Sequence, residues 1–217
     1  MPAPVVCIVG KTKSGKTTFI EKLLTEMVSE GLRVATVKHV APEVEMDKPG
    51  KDSYRHIAAG SLATVVASAK KLVLVKAEQP DSILEDSLEL LGEDYDIVIA
   101  EGFKGSDAPK IEIHRKEVGT PLEGLKNRFA IITDEPLNLE AEQFSFKDVK
   151  GVVKLLKKCF IIPQQERVNI YINSQQVGLK VFPAGIIAST ALGIASNLRG
   201  VNEIESLQIN VKKQNQE

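Results

Sequence analysis

Over residues 1–160, short apolar runs alternate with amphipathic segments. Residues 5–9, VVCIV, are fully apolar and end on a glycine, the pattern of a buried parallel strand. Ile20, Leu23, Leu24, Met27 and Val28 then recur at helical spacing through residues 17–30, and Gly31 supplies a stop. Residues 33–38 form a second strand. Residues 40–51 are polar, contain Pro42 and the Pro49-Gly50 pair, and read as an exposed loop. A short helix is predicted over 53–59, stopped by Gly60, and residues 63–67 and 72–75 are β-rich. Asp81 is placed to cap a helix carrying Leu84, Leu88 and Leu91, which Gly92 closes. Residues 97–100 form another buried strand. Residues 110–114, KIEIH, alternate apolar and polar side chains, which predicts a solvent face for His114, and residues 129–133 are apolar again. Ser145, with Asp148 three residues later, resembles a capping box before a helix carrying Val149, Val152, Val153 and Leu156.

This alternation predicts an α/β domain over residues 1–160, with a mostly parallel sheet covered on both faces. The remainder, 161–217, has a different rhythm. Val168, Ile170 and Ile172 alternate, then Val177, Leu179 and Val181, with polar residues between: a hairpin. Pro183 opens a helix rich in small residues, and Leu207, Ile209 and Val211 alternate as a last strand. The expectation is a small C-terminal ββαβ module, joined at about residues 160–167.

Composition changes this picture little. Hydrophobic residues make up 43% and charged residues 26% of 217, and the formal net charge is −1, so no global field points to nucleic acid or an anionic membrane. The basic residues are bunched instead: Lys11, Lys13 and Lys16, then Lys38 and His39, then Lys48, Lys51 and Arg55. Such bunching in a neutral protein suits a small anionic ligand, although solvated loop charge is an equal reading. Cys7 and Cys159 make neither a disulfide framework nor a metal signature and fit a reducing compartment. The first apolar run is too short for a secretory signal. The charge-free stretch 181–198 is interrupted by Pro183, Gly185 and Gly193 and falls short of a membrane span. The expected location is cytoplasmic.

The candidate chemistry lies at residues 10–17, GKTKSGKT, which match G-x-x-x-x-G-K-[ST] between a buried strand and an amphipathic helix. Gly10 and Gly15 permit a backbone that a Cβ would obstruct. The amides of Lys11, Thr12, Lys13 and Ser14 can then turn inward on an anion, reinforced by the helix N-terminus. Lys16 would reach the β- and γ-phosphates, Thr17 would ligate Mg²⁺, and Thr18 would lie beside the α-phosphate. The second acidic element is DYDIVIAEG at 94–102. Glu101, directly after the apolar run, is the candidate carboxylate for Mg²⁺ or its water, whereas Asp96 reads as a cap. The loop after the second strand adds His39, Asp47, Lys51 and Asp52 where a γ-phosphate sensor would stand. Asp47 or Asp52 could hold metal-bound water and Lys51 could meet phosphate; an exposed loop with a helix cap at Asp52–Ser53 explains the same residues. Lys16, Glu101 and Asp52 are the candidates for the chemistry, and Thr17, Glu101 and Asp47 for the metal.

Taken in order, GKTKSGKTTFIEKLL, VKH at 37–39, DKPGKDSYRHIAAG at 47–60, VIAEGFK at 98–104 and PKIEIHR at 109–115 resemble the molybdopterin-guanine dinucleotide biosynthesis protein B family over about residues 4–160. The resemblance implies a three-layer P-loop NTPase fold, usually dimeric, that binds GTP with Mg²⁺ and hydrolyses it slowly. It implies an adapter role beside a guanylyltransferase that joins GMP to molybdopterin. No N-K-x-D guanine signature is present. Asp134, after an apolar strand, is the best substitute, as an acceptor for guanine N1 and N2 donors or simply as a loop cap. Two other classes remain open. A P-loop kinase would need an arginine-rich lid, and Arg33, Arg55, Arg115, Arg128, Arg167 and Arg199 are scattered. A metallochaperone-type GTPase would carry a His-rich tract or a Cys-x-His element, and neither is present.

Overall fold

The computed structural model describes residues 3–40, 47–76, 83–92, 94–161, 170–172, 175–177 and 181–200, together with 204, 207, 209 and 211. The chain divides into two compact units, residues 2–161 and 162–217.

In the first unit, β1 (Val5–Gly10) leads into α1 (Lys16–Ser29), β2 (Val34–Lys38), α2 (Asp52–Ala58), β3 (Ala63–Ala67) and β4 (Leu72–Lys76). There follow α3 (Ile83–Leu91), β5 (Ile97–Glu101), β6 (Lys110–Ile113), β7 (Arg128–Ile132), β8 (Glu142–Phe144) and α4 (Val149–Cys159). Six strands form one sheet in the order β2-β5-β1-β6-β7-β8. Every pairing in it is parallel. β1 therefore sits inside the sheet, with β5 on one side and β6 on the other. The loops that follow β1, β2, β5, β6 and β7 all emerge at the same edge, where ligands bind in open parallel sheets.

Two apolar layers sandwich this sheet. On one face Val6, Ile8, Ile97, Ile111 and Ile113 pack with Phe19, Leu23 and Met27 of α1 and with Val152, Val153 and Leu156 of α4. On the other face Cys7, Val9 and Ala100 meet Leu84 of α3. Each fully buried Leu, Ile or Phe contributes about 1.5–3 kcal/mol, so these layers hold the strand ends rigidly in place.

Several local expectations are corrected. The N-cap of α4 is Asp148, whose side chain accepts from Gly151 N at 3.0 Å; the Ser145 capping box does not form. α2 starts at Asp52 with Lys51 as N-cap and no side-chain cap bond, so Asp52–Ser53 is not a cap. Asp81 lies outside the described residues. Among the described residues, β3 and β4 pair only with each other, antiparallel, in a sheet separate from the main one. β8 was not predicted, because its sequence EQF has no apolar run. His114 is buried, not solvent-facing. It follows the end of β6, and Glu135 from the loop after β7 lies 3.0 Å from its Nε2, so this face is covered and the alternating pattern does not mark an outer surface.

In the second unit, β9 (Ile170–Ile172) pairs antiparallel with β10 (Gln175–Val177), and α5 runs Val181–Ser196. The helix begins two residues before Pro183. Proline is tolerated there because the first-turn N–H groups have no intrahelical partner. Residues 168 and 179 of the predicted hairpin lie outside the described residues. Leu207, Ile209 and Val211 carry no regular structure, and residues 208 and 210 of the expected last strand lie outside the described residues.

Candidate nucleotide-binding site

The P-loop is pressed against the neighbouring strand. A Cβ on Gly10 would collide with the carbonyl oxygen of Ile113 in β6 and come within 2.7 Å of Ser14 Oγ, so only glycine fits. Beyond it the chain turns back on itself: Ser14 N donates to Lys11 O at 3.3 Å, and Lys13 adopts φ 65°. Gly15, at φ 91°, is the N-cap of α1. That helix has no side-chain cap and no acidic residue in its first turn. Its leading N–H groups are therefore open to an anion, and its dipole favours one. Ser14 Oγ is buried without a hydrogen-bond partner, a second polar group in the same cradle that protein atoms leave unsatisfied.

Lys16 folds over this cradle. Its Nζ donates to Lys11 O at 2.8 Å and to Gly10 O at 3.3 Å. Burial pulls its ammonium below the usual lysine range; Glu101 acts in the opposite direction, and Lys104 and Lys38 add to the fall. Next to it, Thr17 Oγ1 donates to Glu101 Oε1 at 2.9 Å. The other carboxylate oxygen pairs with Lys38 Nζ at 3.3 Å. Parallel registry explains this meeting: Glu101 ends β5, opposite Ile8 of β1 and Lys38 of β2. A hydroxyl and a carboxylate side by side supply two hard oxygens, the donor chemistry Mg²⁺ takes when waters and phosphates complete its shell. The residues present thus fit a magnesium nucleotide.

The turn after Glu101 is locked to the end of β2. His39 N donates to Glu101 O at 2.9 Å, and the His39 ring lies 5.1 Å from the Phe103 ring. A Cβ on Gly102, which has φ 100°, would come 3.1 Å from His39 Cβ. His39 is thus brought to the site through its backbone and ring packing.

The remaining sequence candidates are dispersed. Thr12, Lys13 and Thr18 are exposed on the loop and first turn. Lys11 Nζ reaches Thr120 Oγ1 at 3.4 Å. Asp47 Oδ1 accepts from Ser53 Oγ at 2.9 Å, Asp52 is solvent-exposed and pairs with Arg55 at 3.6 Å, and Lys51 is an exposed N-cap. No described hydrogen bond or ion pair joins Asp47, Lys51 or Asp52 to the P-loop or to Glu101. Asp134 lies past the end of β7, where Oδ1 accepts from Lys116 N at 2.9 Å and Oδ2 stands 3.6 Å from Arg115 Nη1. Sequence reasoning placed Lys104 close to the turn after Glu101 but missed Lys38 and Arg115 as site neighbours. Lys38 was visible in the basic bunching, and all three lie within the VKH, VIAEGFK and PKIEIHR motifs.

A family model described as molybdopterin guanine dinucleotide synthesis protein B matches residues 5–134, from β1 through Asp134. The chain belongs to that family. It is 35% identical over 143 residues to a molybdopterin-guanine dinucleotide biosynthesis adapter protein of Haemophilus influenzae, covering 63% of this chain and 78% of the relative. A putative adapter protein of the same description from Methanocaldococcus jannaschii is 26% identical over 95% of this chain and 97% of its own, so that match takes in most of the C-terminal unit. Among solved structures, the crystal structure of MobB from Bacillus subtilis is similar with a TM-score of 0.57 and 32% identity. It covers 74% of this chain and 99% of its own. These likenesses bear out the three-layer α/β fold and the family expected from the motifs.

Proposed function

We propose that this protein is a GTP-binding adapter of molybdopterin guanine dinucleotide biosynthesis. It holds GTP and Mg²⁺ at residues 10–18 and works beside the guanylyltransferase that joins GMP to molybdopterin. The observation that carries the nucleotide reading is the joint placement of Lys16 over an uncapped helix N-terminus and of Thr17 against Glu101. In this reading the amides of residues 11–16 take the phosphate oxygens, and Lys16 exchanges its two loop carbonyls for the β- and γ-phosphates. Thr17 and Glu101 hold the metal, which neutralises phosphate charge. Lys38 keeps the Glu101 carboxylate oriented. Slow hydrolysis belongs to this reading as what the family resemblance implies. Asp47, Lys51 and Asp52 serve as γ-phosphate contacts only if their loop closes on bound nucleotide.

A homodimer belongs to the same reading. Val65, Val66, Leu72 and Val73 of the β3–β4 hairpin are exposed, with Leu72 at 68%, and a second copy is the occupant that would cover them.

Titration calorimetry with GTP, ATP and Mg²⁺, followed by steady-state turnover, tests the proposal. Lys16→Ala is expected to weaken GTP about a hundredfold, the loss of charge-assisted hydrogen bonds worth roughly 2–3 kcal/mol, and to leave the circular dichroism spectrum unchanged. Unchanged affinity in that variant, or fast phosphoryl transfer to a small acceptor, overturns it. The lowered Lys16 pKa has its own signature. The cation binds phosphate, so GTP affinity is full while Lys16 is protonated. It falls as pH rises through the lowered value, at less alkaline pH than an ordinary lysine would require. A pH series of Kd measures this.

A further inference from the structure

Arg115 and Asp134 stand together on the opposite side of the P-loop from Glu101, beyond β6 and β7. Three neighbours fix the arginine. Its guanidinium carbon lies 4.0 Å from the centroid of the Phe146 ring, and Phe146 rests edge-on against Phe19 of α1 with centroids 6.2 Å apart. Nε and Nη2 are 3.5 and 3.6 Å from the point a Cβ on Gly15 would occupy, so the guanidinium lies against the outside of the P-loop at the start of α1. Nη1 is 3.6 Å from Asp134 Oδ2. The aspartate is fixed independently by the backbone N–H of Lys116.

Neither charge is used up by the other. At 3.6 Å the pair is attracted but makes no hydrogen bond, and among the described residues no hydrogen bond takes up the guanidinium N–H groups. About a third of each side chain is exposed, 34% and 36%. A donor fork and an acceptor carboxylate are thus presented side by side, next to the helix that would carry the phosphates.

Guanine carries the complementary edge. O6 is an acceptor, and the adjoining N1–H and N2–H₂ are donors. Adenine reverses both, offering an amino donor where guanine has O6 and a bare acceptor nitrogen at N1. We propose that Arg115 and Asp134 read the purine together, Asp134 accepting from N1–H and N2–H and Arg115 donating to O6. Phe146 and Gly15 hold the guanidinium plane in position. An adenine base in the same place faces two like-for-like clashes, and unpaired polar groups discriminate far more strongly than lost apolar contact. This supplies the guanine selectivity that an absent N-K-x-D signature leaves open, and it rests on the GTP reading above.

The test is titration calorimetry of the full chain with Mg²⁺ and, in turn, GTP, ATP and xanthosine triphosphate. The wild-type protein is expected to favour GTP over ATP by about a hundredfold. Arg115→Ala should weaken GTP about tenfold and leave ATP unchanged or tighter, the loss of a base contact worth roughly 1–2 kcal/mol. Arg115→Lys, which keeps a cationic donor, should recover most of the GTP:ATP ratio. Asp134→Asn should weaken GTP and strengthen xanthosine triphosphate, whose O2 accepts from the new amide. A GTP:ATP ratio unmoved by Arg115→Ala overturns the proposal, as does an equal loss of both nucleotides, which would make Arg115 a phosphate or packing contact. Failure of the wild-type protein to bind either triphosphate removes the P-loop reading itself. Equal binding of GTP and ATP removes the base reading while leaving the P-loop intact. A thermal melt of each variant separates misfolding from lost recognition.

Discussion

Strand β6 and the residue that follows it carry Lys110, Glu112 and His114, all buried, whereas the β3–β4 hairpin carries Val65, Val66, Leu72 and Val73, all exposed. The contrast follows from what surrounds each strand. β6 is paired on both edges, by β1 and β7. Ile111 and Ile113 join the core with α1, and the three polar residues share the other face. Each is matched there. Lys110 Nζ donates to the carbonyls of Ser106 and Ala108, with 2.9 Å to the latter. Glu112 accepts from Arg128 Nη1 at 2.6 Å and from Leu122 N at 2.7 Å, and His114 Nε2 lies 3.0 Å from Glu135 Oε1. The hairpin has two strands and a single neighbouring helix, α2, among the described elements. Burial is thus decided by topological position, and polar groups survive inside only where loops deliver partners to them.

Removing a partner from the buried stripe is the harshest way to break this contrast. Arg128→Ala leaves Glu112 charged and uncompensated, and is expected to cost about 3–5 kcal/mol in chemical denaturation. The double variant Glu112→Leu/Arg128→Met should recover most of that, because no unpaired charge remains. A single-variant cost under about 1 kcal/mol would show the pair to be solvated. Charging the hairpin should do far less to the fold. Val65 and Leu74 face each other in the antiparallel register, so Val65→Lys/Leu74→Glu places opposite charges across the pair and should shift stability by under about 1 kcal/mol. Its effect is expected in assembly: light scattering should report a dimer for the wild-type protein and a monomer for the variant. Equal masses would break the homodimer reading. The mildest probe uses the two cysteines. Burial pushes the Cys7 thiol up; Ser106 and Lys110 act against this, and Glu85 adds to it. Cys159 is exposed. Iodoacetamide at pH 8 should therefore label Cys159 and spare Cys7, and labelling of Cys7 should appear in Arg128→Ala as local opening increases.

The P-loop was legible in the sequence because its requirements are local: two glycines, a lysine and a threonine between one strand and one helix. Glu101 was legible for a similar reason, standing at the end of an apolar run. The strands β3 and β4 could be found from their composition, but nothing in ATVVA or LVLVK says that they leave the main sheet. His114 was misread because alternation marks a solvent face only when one side of the sheet is open. Arg115 looked like one scattered arginine among six, since Gly15, Asp134 and Phe146 lie far from it along the chain and meet it only after four parallel strands align. Asp134 was found, but Arg115 beside it was not.

The seam at Gly102 has a mechanical consequence. With the Glu101 carbonyl tied to His39 N and a methyl group on Gly102 coming 3.1 Å from His39 Cβ, the β5 and β2 ends are packed closely together. A backbone shift at Glu101 would therefore carry His39 with it, through the hydrogen bond that joins them.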